Sequence, residues 1–251
     1  MMSLTKIRLF YVTKKQYKYK LMAYSGLFWT LAAVQTIAIL LSLGGTGGWN
    51  MGRGTILFSI KTLSNEIIVL LTFLWAFAVS VILTTKSYRD GDAVFVSNRL
   101  SSNLANGAFL ITYCLIGGLS AVLGGAVLRL IFFFSTGGLG IVSQNFFLSP
   151  TELAAGFAVT TLYLLLISTA GYLCGILVQC SKVFVVILPS LFFGVLILAG
   201  RDAGIREMLL QAINFLVHES SFIMLTLKAI LITAVVFGIA LLISNRTEVR
   251  K

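Results

Sequence analysis

Charge is what this chain has least of. Only 11% of its 251 residues are Asp, Glu, Lys or Arg, against about 25% in a typical water-soluble domain. A soluble globule of that composition could not cover its surface with polar groups, which excludes an ordinary soluble enzyme and a disordered chain. Histidine occurs once, at His218, so a multi-histidine zinc site is excluded and a serine–histidine relay lacks support. There is no HExxH, GxSxG or P-loop pattern, so neither those hydrolytic routes nor ATP hydrolysis by the usual route belongs to this chain. The three cysteines, Cys114, Cys174 and Cys180, lie in apolar stretches without a CxxC pair. They read as small packing residues and not as a disulfide framework or metal site. Acidic side chains number eight (Glu66, Asp90, Asp92, Glu152, Asp202, Glu207, Glu219 and Glu248). All fall at the ends of apolar runs or between them, which speaks against a proton relay at mid-membrane.

What is present is apolar: 58% of the residues are hydrophobic. A helix crossing about 30 Å of hydrocarbon needs about 20 such residues in succession. Six runs qualify, at Tyr24–Leu43, Ser64–Leu83, Gly107–Leu128, Leu153–Val178, Val183–Ala199 and Phe222–Ile243. The third can continue through Phe132, Phe133 and Phe134. The expected fold class is therefore an all-α integral membrane protein with six transmembrane helices in a single domain, 1–251. No small-residue cleavage site follows the first run, so that run is expected to be a span and not a cleavable signal.

Local chemistry marks several boundaries. Ser149-Pro150-Thr151-Glu152 is a capping box with proline at the first helical position, a start signal for the fourth span. Pro189 falls inside the fifth span and removes one backbone donor there. Gly44–Gly48 and Gly137–Gly140 read as flexible connections. Gly171 and Gly175 form a small-xxx-small pair, and Gly117, Gly118, Gly124 and Gly125 line the third span. Such glycines let helices approach closely, within the chain, at a subunit interface or at a moving contact.

The net charge of +11 is an orientation label and not a nucleic-acid signature. Lys6, Arg8, Lys14, Lys15, Lys18, Lys20, Lys86, Arg89, Arg99, Lys182, Arg246, Arg250 and Lys251 fall on one side of a six-span topology. Arg53, Lys61, Arg201 and Arg206 fall on the other. The positive-inside rule then places both termini in the cytoplasm. Arg129 and Lys228 lie near the outer helix ends, where long side chains can snorkel to headgroups.

The segment 86–106 reads KSYRDGDAVFVSNRLSSNLAN. Val94, Phe95, Val96 and Leu100 form a grouping that a simple connector would not need. They read as a short interfacial helix with a face for a partner, or as a solvated connector lying on the headgroups. Here the sequence resembles the membrane subunits of ABC exporters of the ABC-2 type. Arg89, Asp90, Gly91 and Asp92 match that family's charged, glycine-containing turn, Val94 to Ser97 its short apolar stretch, and Arg99 its basic motif. Lys86-Ser87-Tyr88 replaces the family's acidic residue, and Asn98 stands where a proline is common. The resemblance implies a coupling helix that docks into an ATPase subunit through Arg89, Asp90, Gly91, Asp92, Val94, Phe95, Asn98 and Arg99. It also implies a secondary contact at Lys182, in the short turn Gln179–Lys182. Residues 4–21 resemble the elbow helix before the first span, or serve as a plain basic anchor, and 201–220 resemble the outer interfacial helices before the last.

The expected function is the permease of an exporter in the cytoplasmic membrane of a bacterium, moving an amphipathic or hydrophobic cargo such as a peptide, lipid or drug. The chain itself would be non-enzymatic and bind no cofactor or metal, ATP and Mg being held by the partner. Expected partners are the ABC ATPase subunit, a second permease copy or sister permease, and membrane lipid, with no nucleic acid. The competing readings are a six-span structural or immunity-type protein and an independent secondary carrier.

Overall fold

The computed structural model describes residues 9–44, 47–53, 56–62, 65–85, 88, 99–136, 149–217 and 221–246. Among them are eight helices: α1 Leu9–Ala23, α2 Gly26–Leu43, α3 Glu66–Leu83, α4 Arg99–Thr136, α5 Pro150–Cys180, α6 Phe184–Arg201, α7 Ala203–Val217 and α8 Phe222–Arg246. In lipid every backbone polar group needs an internal partner, so a long apolar run has little choice but to be helical. Six helices are long and apolar enough to cross a membrane, with candidate spans at 26–43, 66–83, 101–135, 150–180, 184–201 and 222–244. The protein is an all-α membrane protein with six candidate spans. One feature falls outside that description: the connection after α2 carries a hairpin. Its strands are β1 Gly47–Arg53 and β2 Ile56–Thr62, antiparallel, with Gly47 opposite Thr62 and Arg53 opposite Ile56.

Five of the six spans start and stop within a few residues of the apolar runs. The third does not. Helix α4 begins at Arg99 and ends at Thr136, so residues 99–106, expected in the loop 86–106, are helical. At about 1.5 Å per residue its 38 residues extend about 57 Å, nearly twice a hydrocarbon core. Its polar start, Ser101, Ser102, Asn103 and Asn106, is therefore helix beyond the apolar run, held by partners described below.

Two compact units divide the chain, Met1–Lys18 with Phe77–Leu110 and Leu165–Lys251, and Tyr19–Ala76 with Ile111–Leu164. In the second, Ala38, Ile68, Ala121 and Leu128 form a buried cluster with Ile39, Ile67 and Leu71 against it. Glycines make this packing close: a Cβ on Gly124 would lie 3.4 Å from Ile68, and one on Gly125 would lie 2.7 Å from the Asn65 amide. Neutral polar groups tie the same helices together. Gln35 Nε2 donates to Thr72 Oγ1 at 3.3 Å and to Ser120 Oγ at 3.0 Å, joining α2, α3 and α4. Trp75 Nε1 donates to Thr30 Oγ1 at 2.9 Å. Its ring meets Tyr113 edge-on at 5.2 Å, a geometry worth about 0.5–1.5 kcal/mol beyond area burial. The capping box is formed as the sequence predicts. Ser149 N–H donates to Glu152 Oε2 at 2.9 Å, and Glu152 N–H donates to Ser149 Oγ at 3.2 Å.

In the first unit, α6 runs through Pro189 with no residue buried within the chain, and α7 occupies most of the segment 201–220. Asp202 Oδ1 accepts the Gly204 N–H at 2.8 Å just inside its start. At its end Lys228 Nζ, from α8, donates to the Phe215 carbonyl at 2.7 Å and lies 3.6 Å from the Phe215 ring centre. The cation thus caps the negative end of α7.

Candidate functional site

Of the residues proposed to dock a partner, Arg89, Asp90, Gly91, Asp92, Val94, Phe95 and Asn98 lie outside the described residues. Arg99 is the first residue of α4. Lys182 is exposed in the turn Ser181–Val183 that joins α5 to α6. The Gly137–Gly140 connection, His218 and Glu219 are also outside the described residues. What the structure does give is the framework on which segment 86–98 is mounted, and it is built at both of that segment's ends.

The incoming end is the close of α3. Its last turn packs on α5 through the small-xxx-small pair. A Cβ on Gly171 would come within 2.8 Å of the Phe77 carbonyl oxygen and 3.1 Å of Ser80 Cβ, and one on Gly175 would collide with Thr84. The pair therefore serves packing within the chain. Gln179 Nε2 donates to the Thr84 carbonyl, one of the carbonyls that a helix end leaves without an intrahelical donor.

The outgoing end is the start of α4, and it too is fastened to α5. Tyr172, 2% exposed, donates its hydroxyl to Asn103 Oδ1 at 3.0 Å. The Tyr172 hydroxyl oxygen in turn accepts from Asn106 Nδ2 at 3.1 Å. Asn103 Nδ2 donates onward to Ser244 Oγ on α8 at 3.1 Å. The Tyr172 ring packs on Phe237, centres 5.6 Å apart, and Phe237 fills the space that a side chain on Gly107 would need. Asn103, Asn106 and Ser101 are buried. In a low-dielectric interior such a connected polar set holds one arrangement, because breaking it strands a buried donor or acceptor.

Helix α5 thus holds the two helix ends that flank segment 86–98, the close of α3 by glycines and Gln179 and the start of α4 by Tyr172. Sequence reasoning placed Ser101 to Asn106 in the loop and missed Tyr172, Asn103 and Asn106. The available signal was three polar side chains, at 101, 103 and 106, continuing directly into an apolar run.

None of the described residues groups three His, Cys, Asp or Glu at one point. The cysteines are free, with Cys114 buried, Cys174 half-buried and Cys180 exposed. Glu66, Glu152, Asp202 and Glu207 are all exposed. The one buried cation among the described residues that burial singles out is Lys20 of α1, counted from sequence as part of a basic anchor. Comparison with known proteins yields no match to a family model, to a curated protein or to a solved structure.

Proposed function

We propose that this chain is the transmembrane subunit of an ATP-driven exporter, with residues 86–98 forming the contact for a separate ATPase subunit. The observation that supports this reading is the attachment to α5 of both helix ends that flank that segment, Thr84 after α3 and Asn103 with Asn106 in α4. A push delivered between two helix ends that are both fastened to one long helix moves that helix, and with it α4 and α8 through Asn103 and Ser244. A connector that merely joins two spans needs no such anchorage.

In this reading Arg89, Asp90, Asp92 and Arg99 present charge to the partner, while Val94 and Phe95 offer it an apolar contact. Lys182, at the end of the same α5, adds a second cation. The excess of basic residues puts this face and both termini in the cytoplasm. ATP and Mg would be held by the partner, and movement of the spans between two packings would open a path between two six-span halves. The neutral, phenylalanine-rich spans suit an amphipathic or hydrophobic cargo.

Affinity purification of the tagged chain from its native membranes in mild detergent, with mass-spectrometric identification of what accompanies it, tests this. A P-loop ATPase is expected in stoichiometric amount. The combined variant Asp90→Asn, Asp92→Asn, Arg99→Gln is expected to lose it while inserting normally. Undiminished recovery of the ATPase with that variant overturns the docking assignment. Transport by the purified chain alone in liposomes would make it an independent carrier.

A further inference from the structure

Helix α1 turns an unexpected side outward. The sequence LFYVTKKQYKYKLMA offers lysines and aromatics together, and an elbow helix would be expected to bury the aromatics. Instead Gln16 is 0% exposed, whereas Phe10 is 78% and Tyr11 is 56% exposed. Lys14, Lys15 and Lys18 are exposed with them. Lys15 Nζ stands 4.8 Å from the centre of the Tyr11 ring. Spacings of three and four residues place Tyr11 with Lys14, Lys15 and Lys18 on neighbouring parts of one helical surface.

We propose that the exposed Phe10–Lys18 surface of α1 binds the headgroups of anionic phospholipids. The placement along the membrane normal comes from the chain itself: α1 ends at Ala23 and the first candidate span begins at Gly26. The helix is thus tethered at the boundary between water and hydrocarbon. Aromatic rings settle at headgroup depth there, and lysines extend their ammonium groups to the phosphates. The helix contains no acidic residue, so nothing in it offsets the attraction. Three ammonium groups within little more than one turn match a phosphate surface and not a neutral one. The ring beneath Lys15 holds that cation in place by a cation–π contact. Burial of Gln16 on the other side seats the helix, so the cationic face does not roll away from the lipid.

This inference rests on the membrane placement of α2 and is independent of the ATPase reading. The test is native mass spectrometry of the detergent-purified full chain titrated with phosphatidylglycerol or phosphatidylcholine. The wild type is expected to take up phosphatidylglycerol more tightly, and each lysine removed to weaken it about five-fold. The triple variant K14Q/K15Q/K18Q is expected to bind both lipids alike, with its phosphatidylcholine affinity and helical circular dichroism unchanged. The charge-preserving K14R/K15R/K18R variant is expected to keep the preference and serves as the folded control. Equal affinity of the wild type for the two lipids, retention of the preference by the glutamine variant, or its loss in the arginine variant would overturn the proposal.

Discussion

Replacing Tyr172 by Phe removes one oxygen atom and leaves the ring. The ring's 5.6 Å packing on Phe237 survives, so the measured effect isolates the hydroxyl. That hydroxyl makes two hydrogen bonds, donating at 3.0 Å to Asn103 Oδ1 and accepting at 3.1 Å from Asn106 Nδ2. Inside membrane proteins a single side-chain hydrogen bond averages about 0.6 kcal/mol and reaches about 1.7. Two bonds set a floor of about 1 kcal/mol. Leaving Asn103 Oδ1 buried without this donor adds a desolvation cost of about 1–3 kcal/mol, which the partial relaxation of an asparagine side chain reduces. The expected loss is therefore about 1–3 kcal/mol. Reversible unfolding in mixed micelles of mild detergent and dodecyl sulfate, followed by circular dichroism, measures it. A double-mutant cycle with Asn103→Ala separates the pair from its surroundings and should return a coupling of about 1 kcal/mol. A Tyr172→Phe protein as stable as wild type, or additive single and double variants, refutes the idea that this contact fastens α4 to α5.

The glycines give opposed expectations. Gly171→Ala places a Cβ 2.8 Å from the Phe77 carbonyl oxygen, a backbone atom that cannot swing away, so thermal unfolding should show a loss of about 1–3 kcal/mol by overpacking. Gly238→Ala on α8 meets nothing within 4 Å and should be neutral or stabilising by up to about 1 kcal/mol through helix propensity; the same melting experiment compares the two. Ser149→Ala removes the acceptor of the Glu152 N–H and should cost about 1 kcal/mol, read as a lowered unfolding midpoint and faster amide exchange confined to the first turn of α5.

Local features of this protein were legible without a structure. Six apolar runs become six spans because the cost of leaving backbone groups unpaired in hydrocarbon depends on the run itself. The Ser149–Glu152 cap forms because both partners lie three residues apart. The hairpin Gly47–Thr62 has a signal of its own, since Trp49, Met51, Phe58 and Ile60 alternate with Gly48, Asn50, Ser59 and Lys61 at the two-residue period of a strand, although only its glycines at 47 and 48 stand out as a connection. The framework that joins α3, α4 and α5 was illegible for a different reason. Residues 99–106 look like a polar loop until Tyr172 and Ser244, remote in the chain, supply the donors and acceptors that allow Asn103 and Asn106 to be buried in a helix. Gly171 and Gly175 were open to three roles until Phe77 and Thr84 came to occupy the space beside them. Lys20 counts in the sequence as one more cation of a basic anchor, and only packing encloses it, with Gln16, in the protein interior. Composition and hydropathy therefore determined which segments enter the membrane, because transfer from water is a property of each segment alone. Tertiary structure decided which polar residues are fastened to which helix, because a hydrogen bond needs two partners and only the fold brings them together.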